Sequence, residues 1–457
     1  MIINNSKYNK VWQTKTLSEL GTLNRGKSKH RPRNDKALFD NGIYPLIQTG
    51  EIKEANLYIR NHTDTYNDFG LKQSKLWTEG TLCITIAANI AETALLGYPM
   101  CFPDSVVGFN AYPNETSEIF MHYVFTFIKK TIQNSASGSI QDNINIDYLT
   151  RIKFKIPFKI YQDKIASVLS LLDAKIENNN RINSELEAMA KTLYNYWFVQ
   201  FDFPDANGKA YKKAGGKMIY NKELKRDIPK GWEVKTLDQW ITNDKSGDWG
   251  KESPDGNYIK KVCCVRGADI NGLNGLGNCN TPIRYILEKN EFKILEPHDL
   301  IVEISGGSPV QSTGRLAYVT EATAKRFEAP IICSNFCKAV SLKNKKQLYN
   351  FVYLWNRVYD NGILFGYEGK TSGIKNLLFD SFVSTYQTVV PNEESTEKFY
   401  NFMEPLQTQK QRNLLENQKL TEQRDWLLPM LMNGQVTVYD MGEELDMVAE
   451  SRVRYGN

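Results

Sequence analysis

One short sequence occurs twice, and this repeat constrains the fold more than any other feature of the chain. Residues 7–17 read KYNKVWQTKTL and residues 227–237 read DIPKGWEVKTL, so each places a Trp five residues before the Leu of a Lys-Thr-Leu triplet. Equivalent positions are 220 residues apart here and 234 residues apart further on, as for Pro157 and Pro391. Because self-similarity at a fixed interval indicates a duplicated structural unit, we expect two homologous units, the second lengthened by an insertion.

Each unit begins with a region of mixed character. Short apolar runs between turn residues, such as GTLCITIAANI (80–90) and DLIVEIS (299–305), indicate strands. Apolar residues at helical spacing occur in SEIFMHYVFTFIKKTI (117–132) and KQLYNFVYLWNRVY (346–359). The sequence therefore predicts the α+β class, with mostly antiparallel or mixed sheets.

Each unit then continues into a long amphipathic helix. Residues 160–198 contain no Gly or Pro, and apolar or Asn side chains recur at alternating intervals of three and four residues. Such a pattern is typical of a coiled-coil seam. The equivalent seam in residues 399–431 is more polar, since it includes Lys410 and Arg424, and Pro405 is expected to kink or restart that helix.

Asparagines occupy equivalent places in the two seams. Asn179 is equivalent to Asn413, and Asn183 to Asn417. A buried Asn lowers the stability of a coiled coil but specifies its alignment. We therefore expect the helices to pack against each other, antiparallel if a two-fold axis relates the units, with these four residues setting the register.

Composition and charge narrow the range of functions that the chain can have. The chain has no apolar run of the roughly 18 residues that a transmembrane helix needs, and its N-terminus lacks a signal-like apolar segment, so a cytoplasmic location is expected. The seven cysteines are irregularly spaced without a Cys-x-x-Cys pair, which favours free thiols over a metal site. Basic residues cluster in residues 1–40 and 209–230, as binding to a polyanion requires.

Sequence motifs of catalysis are incomplete. GYEGKTS (366–372) lacks the first Gly of a phosphate-binding loop, because that position is Leu364, and ISGGSPV (304–310) does not fulfil Gly-x-Ser-x-Gly. No catalytic residue, metal or cofactor is therefore predicted for this chain. Two alternatives stay open: a stand-alone DNA-binding nuclease with an Asp…Glu-x-Lys site at Asp255, Glu291 and Lys293, and a coiled-coil adaptor without a nucleic-acid role.

The sequence at the end of the first long helix resembles a known family. LYNYWFVQFDFPDANGKAYKKAGGKMIYNKELKRDIPKGWEVKTL (193–237) is similar to the central region of specificity (S) subunits of type I restriction–modification enzymes. LLPMLMNGQV (427–436) resembles the C-terminal ending of the same subunits. The resemblance extends over the whole chain and implies two target-recognition domains, each followed by a spacer helix, in a pseudo-two-fold arrangement.

The resemblance also implies a domain plan. We expect a first recognition domain at 1–158, a central spacer helix at 159–200, a basic connecting loop at 201–231, a second recognition domain at 232–391, a C-terminal spacer helix at 392–434 and a tail at 435–457.

A non-catalytic role in a larger enzyme follows from the same resemblance. Each domain would read one half of a bipartite double-stranded DNA site, and the helices would set the gap. Two modification subunits, holding S-adenosylmethionine, would methylate adenine N6, and two restriction subunits would use ATP and Mg²⁺. The helix ends, Leu193–Phe203 and Trp426–Leu431, are candidate docking sites for modification subunits.

Candidate DNA contacts follow from the chemistry of DNA. Phosphates attract Lys and Arg, and base edges are read by Arg, Lys, Asn and Gln. The candidates in the first unit are Arg25, Lys27, Lys29, Arg31, Arg33, Gln48, Thr49, Asn89, Gln141 and Asn143. Their counterparts in the second unit are Arg266, Gln311, Arg315, Lys370, Lys375 and Asn376.

Overall fold

The computed structural model describes residues 2–87, 89–137, 146–277, 279–306, 310–371 and 374–438. Within them the chain packs as two compact units. Unit 1 comprises the described residues up to Glu177 and those from Gln418 onward, and unit 2 comprises Asn178–Asn417. The boundaries expected from the sequence at 158, 200, 231, 391 and 434 remain predictions.

Unit 1 is built from three small sheets and flanking helices. Its strands are β1 Ile2–Ile3, β2 Gln13–Thr16, β3 Gly21–Arg25, β4 Tyr44–Leu46, β5 Tyr58–Ile59, β6 Asp64–Tyr66, β7 Leu76–Trp77, β8 Leu82–Thr85, β9 Thr93–Leu96, β10 Met100–Cys101, β11 Val106–Ala111 and β12 Lys153–Ile156. Its helices are α1 Leu17–Leu20, α2 Thr49–Glu54, α3 Asp68–Lys72, α4 Glu118–Ser137, α5 Ile146–Arg151 and the first part of α6 Lys159–Tyr194. A 3₁₀ turn lies at Lys36–Leu38.

Unit 2 also consists of short strands and flanking helices, and it has more strands than unit 1. Its strands are β13 Met218–Asn221, β14 Arg226–Pro229, β15 Glu233–Thr236, β16 Ile241–Ser246, β17 Tyr258–Val265, β18 Ile283–Leu287, β19 Leu300–Glu303, β20 Ser305–Gly306, β21 Leu316–Tyr318, β22 Ile331–Cys333, β23 Cys337–Leu342, β24 Glu368–Thr371, β25 Ile374–Leu377 and β26 Gln387–Val390. Its helices are α7 Ile270–Leu273, α8 Glu321–Ala324, α9 Leu348–Asp360, α10 Phe379–Thr385 and most of α11 Glu393–Met432, and a π-helical turn, Asn195–Val199, follows α6. Its 3₁₀ turns are Leu237–Trp240, Gly267–Asp269, Glu288–Lys293, Lys345–Gln347 and Ile363–Tyr367.

The two units share one topology, which confirms the internal repeat and the α+β class. The main sheet of unit 1 contains the order β3-β11-β8-β9, and that of unit 2 has β16-β23-β19-β21, with every neighbour antiparallel. A second sheet runs β6-β4-β10 in unit 1 and β18-β17-β22 in unit 2, in each case with one antiparallel and one parallel pair. The antiparallel pair β2-β12 is matched by β15-β26.

The repeated Lys-Thr-Leu triplet has a structural role in both units. Its Thr ends a strand, and its Leu begins a helical turn and is completely buried, at Leu17 in unit 1 and Leu237 in unit 2. In unit 1 the Glu19 carboxylate accepts a hydrogen bond from the Thr16 backbone N–H at 2.7 Å, which satisfies a free donor at the helix start. The triplet therefore marks the same strand-to-helix junction twice.

The long helices pair in antiparallel fashion within unit 2. The Nδ2 of Asn179 donates to Oδ1 of Asn417, and the Nδ2 of Asn413 donates to Oδ1 of Asn183, each at 2.9 Å. The lower-numbered Asn of α6 thus pairs with the higher-numbered Asn of α11, so the two helices run in opposite directions. The structure brings the four asparagines together as the sequence predicted, while their role in setting the register stays a prediction.

The polar seam positions of α11 also have partners. Lys410, which is buried, forms an ion pair with Glu187 of α6. In unit 1, Arg424 donates to the buried Asp173 at 2.7 Å, and that carboxylate also accepts hydrogen bonds from Tyr123 and Asn56. Helix α11 runs as one element from Glu393 to Met432, so it does not restart at Pro405, and a kink there remains a prediction. Its residue Met403 is buried in the core of unit 2.

We expect Arg424→Met to destabilise the protein through unit 1. The substitution leaves the Asp173 carboxylate buried without its cation, and breaking a buried pair in this way costs about 3 kcal/mol of unfolding free energy. Urea denaturation measures the change. The exposed pair Arg181–Glu185 gives the control, because Arg181→Met should change the unfolding free energy by less than about 0.5 kcal/mol. Equal effects of the two substitutions would contradict the prediction.

A buried histidine in unit 1 makes stability depend on pH. Burial lowers the pKa of His122 from 6.5 to about 4, and its Nδ1 lies 3.1 Å from the Thr93 hydroxyl. Below pH 6.5 the unfolded chain binds a proton there that the folded chain does not bind until about pH 4. This group therefore does not lower the unfolding free energy above pH 6.5. Acidification towards pH 4 lowers the unfolding free energy by on the order of 3 kcal/mol, because the unfolded chain gains the proton first. His122→Gln should flatten this part of the curve of unfolding free energy against pH, and a curve of unchanged slope would refute the prediction.

Candidate nucleic-acid interface

The basic loop that follows β3 is organised around one carboxylate. Arg33 forms an ion pair with Asp104 at 2.7 Å, and Arg31 lies 4.0 Å from the same carboxylate. Arg25 donates from Nε to the backbone carbonyl of Asp104. Three of the five predicted phosphate ligands are therefore held by the protein itself.

Lys27 and Lys29 in the same loop differ from these arginines. Both are exposed, and neither side chain forms an ion pair or a hydrogen bond among the residues that the structure describes. The loop backbone is fixed, because the amide of Lys29 donates to the Gln73 side chain at 2.7 Å. These two ammonium groups are thus presented to solvent on an ordered loop, as an electrostatic contact to phosphate requires.

The other predicted contacts of unit 1 lie close to one another. Gln48 precedes α2 and Thr49 begins it, and Gln48 is exposed. Lys53 of α2 reaches Oδ1 of Asn89, in the connection between β8 and β9, at 3.4 Å. The α2 start and the β8–β9 connection therefore form neighbouring surfaces. Gln141 and Asn143 lie outside the described residues.

In unit 2 the predicted arginines are engaged by buried acids. Arg266 donates two hydrogen bonds to the buried carboxylate of Asp269, at 2.8 and 3.1 Å, and these bonds raise the pKa of Arg266. Arg315 makes the same kind of paired contact with the buried Glu303, at 2.8 and 2.6 Å, and its pKa is likewise raised by those hydrogen bonds. These guanidinium groups fix the loops in which they lie.

The remaining predicted residues of unit 2 lie in or next to the sheet β20-β25-β24. Asn376 pairs with Ser305 across the strands, and Lys375 forms an ion pair with Glu368 at 3.1 Å. The backbone carbonyl of Gln311 lies 3.4 Å from the Lys375 ammonium group. Lys370 is opposite Lys375 in the β24–β25 register, and its side chain is outside the description.

A cavity of about 600 Å³ opens where these loops meet. Its lining includes Arg266 from the loop after β17, Ser305 from β20, and Ile374 from β25. Two aromatic side chains complete it: Trp249, over which the Arg284 guanidinium lies at 3.9 Å, and Phe336, which is 55% exposed. The cavity therefore presents apolar ring surface beside the charged side chains of Arg266 and Glu303, and exposed rings suit stacking with nucleobases.

The residues of the alternative nuclease site do not form a common cluster. Asp255 pairs with Lys251, Glu291 with Lys260 at 3.1 Å, and Lys293 with Asp248 at 3.9 Å. No group of three or more His, Cys, Asp or Glu side chains able to hold a metal ion occurs in the part of the chain that the structure describes. All seven cysteines are free thiols, as expected.

Comparison with known proteins agrees with this organisation. Residues 9–188 match the model of the type I restriction modification DNA specificity domain. The chain is 22% identical to the specificity subunit of the type I restriction enzyme MjaIX from Methanocaldococcus jannaschii, over 95% of this chain and 96% of that one. It is 26% identical to the HindI specificity subunit from Haemophilus influenzae, over 71% of this chain and 75% of that one.

The fold is also similar to a solved structure. The S subunit of a type I restriction–modification system from M. genitalium superposes with a TM-score of 0.55 at 17% identity, covering 94% of this chain and 99% of that one. The chain is therefore similar to type I restriction–modification specificity subunits in sequence and in fold. The resemblance stated from the sequence is thus confirmed. No helix among the described residues is long and apolar enough to span a membrane.

Two residues that line the cavity, Trp249 and Phe336, were not among the residues predicted from the sequence. Both lie in loops near strand ends, in DWG (248–250) and SNF (334–336), but no repeat partner or basic cluster marks them. An aromatic residue next to Gly or Asn directly after a strand would have been the available signal. The sequence alone does not distinguish such a ring from a core residue.

We expect the double substitution Lys27→Gln and Lys29→Gln to weaken DNA binding at every sequence equally. If each ammonium group neutralises one phosphate, the slope of log affinity against log salt should fall by about 0.9 for each lysine removed. Mobility-shift titrations at several salt concentrations measure it. The matched control is Lys398→Gln on α11, whose ammonium group pairs with Glu394 within the helix and which should leave the slope unchanged. A variant that keeps the salt slope but changes the preferred sequence would contradict this assignment.

Proposed function

We propose that this specificity subunit reads a bipartite DNA sequence, one half with each unit. The observation that supports this proposal most directly is the shared strand order of the two units. Equivalent loops follow equivalent strands: the loop after β4 corresponds to that after β17, and the β8–β9 connection corresponds to the β19–β21 connection. A duplicated scaffold that carries different side chains in equivalent loops suits two half-sites of different sequence.

The long helices are proposed to set the distance between the half-sites. Both α6 and α11 contribute residues to unit 1 and to unit 2. Their mutual contacts include the pairs Asn179–Asn417 and Asn183–Asn413. Since the buried amides of Asn179, Asn183 and Asn413 would lose their partners if the helices slid, the pairing opposes a change in the distance between the half-sites.

The chain is proposed to direct catalysis that other subunits perform. Its relatives are named as specificity subunits of restriction enzymes, and no catalytic residue is assigned to this chain. We propose that two modification subunits bring S-adenosylmethionine and methylate adenine N6, and that two restriction subunits use ATP and Mg²⁺ to cleave. The association of this chain with these subunits is proposed from its similarity to specificity subunits.

The two proposed docking sites differ in how exposed their aromatic side chains are. In the segment Leu193–Phe203, the rings of Trp197, Phe198, Phe201 and Phe203 are buried in the core of unit 2. In the segment Trp426–Leu431, by contrast, Trp426 is 61% exposed. Exposed tryptophan is enriched at protein interfaces, so we propose that Trp426 is the better candidate for contact with a modification subunit.

Mapping of methylated adenines tests the function. In cells that express this chain with its cognate modification subunit, we expect a motif in two parts with a fixed gap and one methylated adenine per half, on opposite strands. Phe336→Ala should relax the sequence of one half only, because it removes a ring from the cavity of unit 2. Ile259→Ala, equally exposed at 55% and outside the cavity lining, should leave the motif unchanged.

Other outcomes would overturn the proposal. A motif without a gap would contradict reading in two halves. Cleavage of DNA by the chain alone, lost when Asp255, Glu291 and Lys293 are replaced by alanine, would favour the stand-alone nuclease.

A further inference from the structure

The two repeated tryptophans have different surroundings. In unit 2, Trp232 is buried beneath aromatic residues that follow α6: Phe203 stacks on it at 4.8 Å, and Phe198 and Phe201 lie at 5.8 and 5.6 Å between ring centroids. In unit 1, Trp12 is only half-buried and lines a cavity of about 420 Å³. The same structural position is therefore filled by aromatic rings in one unit and left as a groove in the other.

The groove around Trp12 has an apolar wall. It is lined by Tyr8, Val11, Phe158 and Tyr161, which are 49%, 83%, 55% and 38% exposed. Such a concentration of exposed large side chains around one cavity is unusual for a surface that faces only water. In unit 2 the equivalent position is filled by aromatic side chains from the segment that follows a long helix. The groove of unit 1 should therefore accept aromatic and other large apolar side chains from an equivalent segment.

The segment after α11 leads directly to this groove. Asn433 is held by the N-terminal strand region, because its backbone carbonyl accepts a hydrogen bond from the Ser6 hydroxyl at 2.7 Å. Gly434 then packs on the Trp12 ring, where a Cβ would lie 3.2 Å from the indole, and its φ of +81° also favours glycine. Val436, Thr437 and Val438 line the groove themselves.

The described part of this segment does not supply the missing rings. At the repeat interval of 234 residues, Phe198, Phe201 and Phe203 correspond to Met432, Gln435 and Thr437. Met432 is buried in the core of unit 1, and Gln435 and Thr437 are exposed. The next large apolar side chains in the sequence are Tyr439 and Met441.

We propose that residues 439–448 of this same chain bind in the groove of unit 1, with Tyr439 and Met441 as the apolar anchors. Consecutive Cα atoms are about 3.8 Å apart, so Tyr439 begins one step beyond Val438, which already lines the groove. The inference does not depend on the DNA-binding role.

Charge complementarity supports this occupant. The segment YDMGEELDMV (439–448) carries Asp440, Glu443, Glu444 and Asp446 and no basic residue. Lys7 and Lys10, next to the groove residues Tyr8 and Val11, are exposed and form no ion pair among the described residues. Acidic residues that flank the apolar anchors would therefore meet basic residues at the rim, which adds a salt-dependent attraction.

Amide hydrogen exchange of residues 8–12 in the full chain tests the proposal. Replacing Tyr439 and Met441 together by alanine should speed exchange there by about tenfold, the change expected when burial of large side chains is lost. Phe158→Ala should have the same effect from the groove side. The matched controls are Met189→Ala, also 55% exposed but in unit 2, and the tail variant Arg452→Ala with Arg454→Ala, both of which should leave exchange unchanged.

A second measurement separates docking from a general loss of stability. A chain that ends at Val438 should bind a synthetic peptide of residues 439–457, and Phe158→Ala should weaken that binding by about tenfold. No binding, or binding unaffected by Phe158→Ala, would overturn the proposal. So would protection of residues 8–12 that appears in the full chain only when purified modification subunit is added, because the groove would then belong to the partner.

Discussion

Buried polar side chains between the two long helices are the interaction on which the rest of the structure depends. A seam made only of leucine would tolerate sliding by a heptad, because apolar contacts are non-directional. Here the amides of Asn179 and Asn183 meet those of Asn417 and Asn413, and Lys410 meets Glu187. Asn179, Asn183, Asn413 and Lys410 are buried, and a buried polar group without a partner costs about 1–3 kcal/mol. The observed alignment satisfies all four.

The same principle operates in the recognition loops of unit 2. Arg266 and Arg315 are each paired with a buried carboxylate, so their geometry is fixed before any ligand arrives. Such pre-organisation reduces the entropy lost on binding. Arg266 and Arg315 have the most suitable chemistry for reading bases, but their pairing with carboxylates also holds the shape of the surface. Lys27 and Lys29 in unit 1 are less constrained, because both are exposed and neither side chain has an ion-pair partner among the described residues.

The fold was predictable from the sequence where periodicity and repetition carry the information. The two long helices, the duplication and the pairing of the asparagines all follow from spacing that physical regularity imposes. Strand order did not follow, because pairing between residues as distant as Glu233 and Val390 leaves no local pattern.

The candidate site was predictable in part. The loops were identified by basic and polar residues in equivalent places, and the structure brings three loops of unit 2 together around one cavity. What could not be predicted is the internal pairing of the cations, since Glu303 and Asp269 look like ordinary acids in the sequence. The rings of Trp249 and Phe336 were missed because burial and exposure of an aromatic residue are decided by tertiary packing.

The composition of unit 1 has a consequence for biosynthesis. Its core includes Leu428, Leu431 and Met432, which are made after all of unit 2. Domains usually fold in the order in which the ribosome produces them. Here the sheets of the N-terminal half must wait for the last helix before their core is closed, whereas unit 2 has all its residues earlier. A chain that stops early therefore lacks part of the core of unit 1 and leaves the apolar side chains that pack there open to solvent.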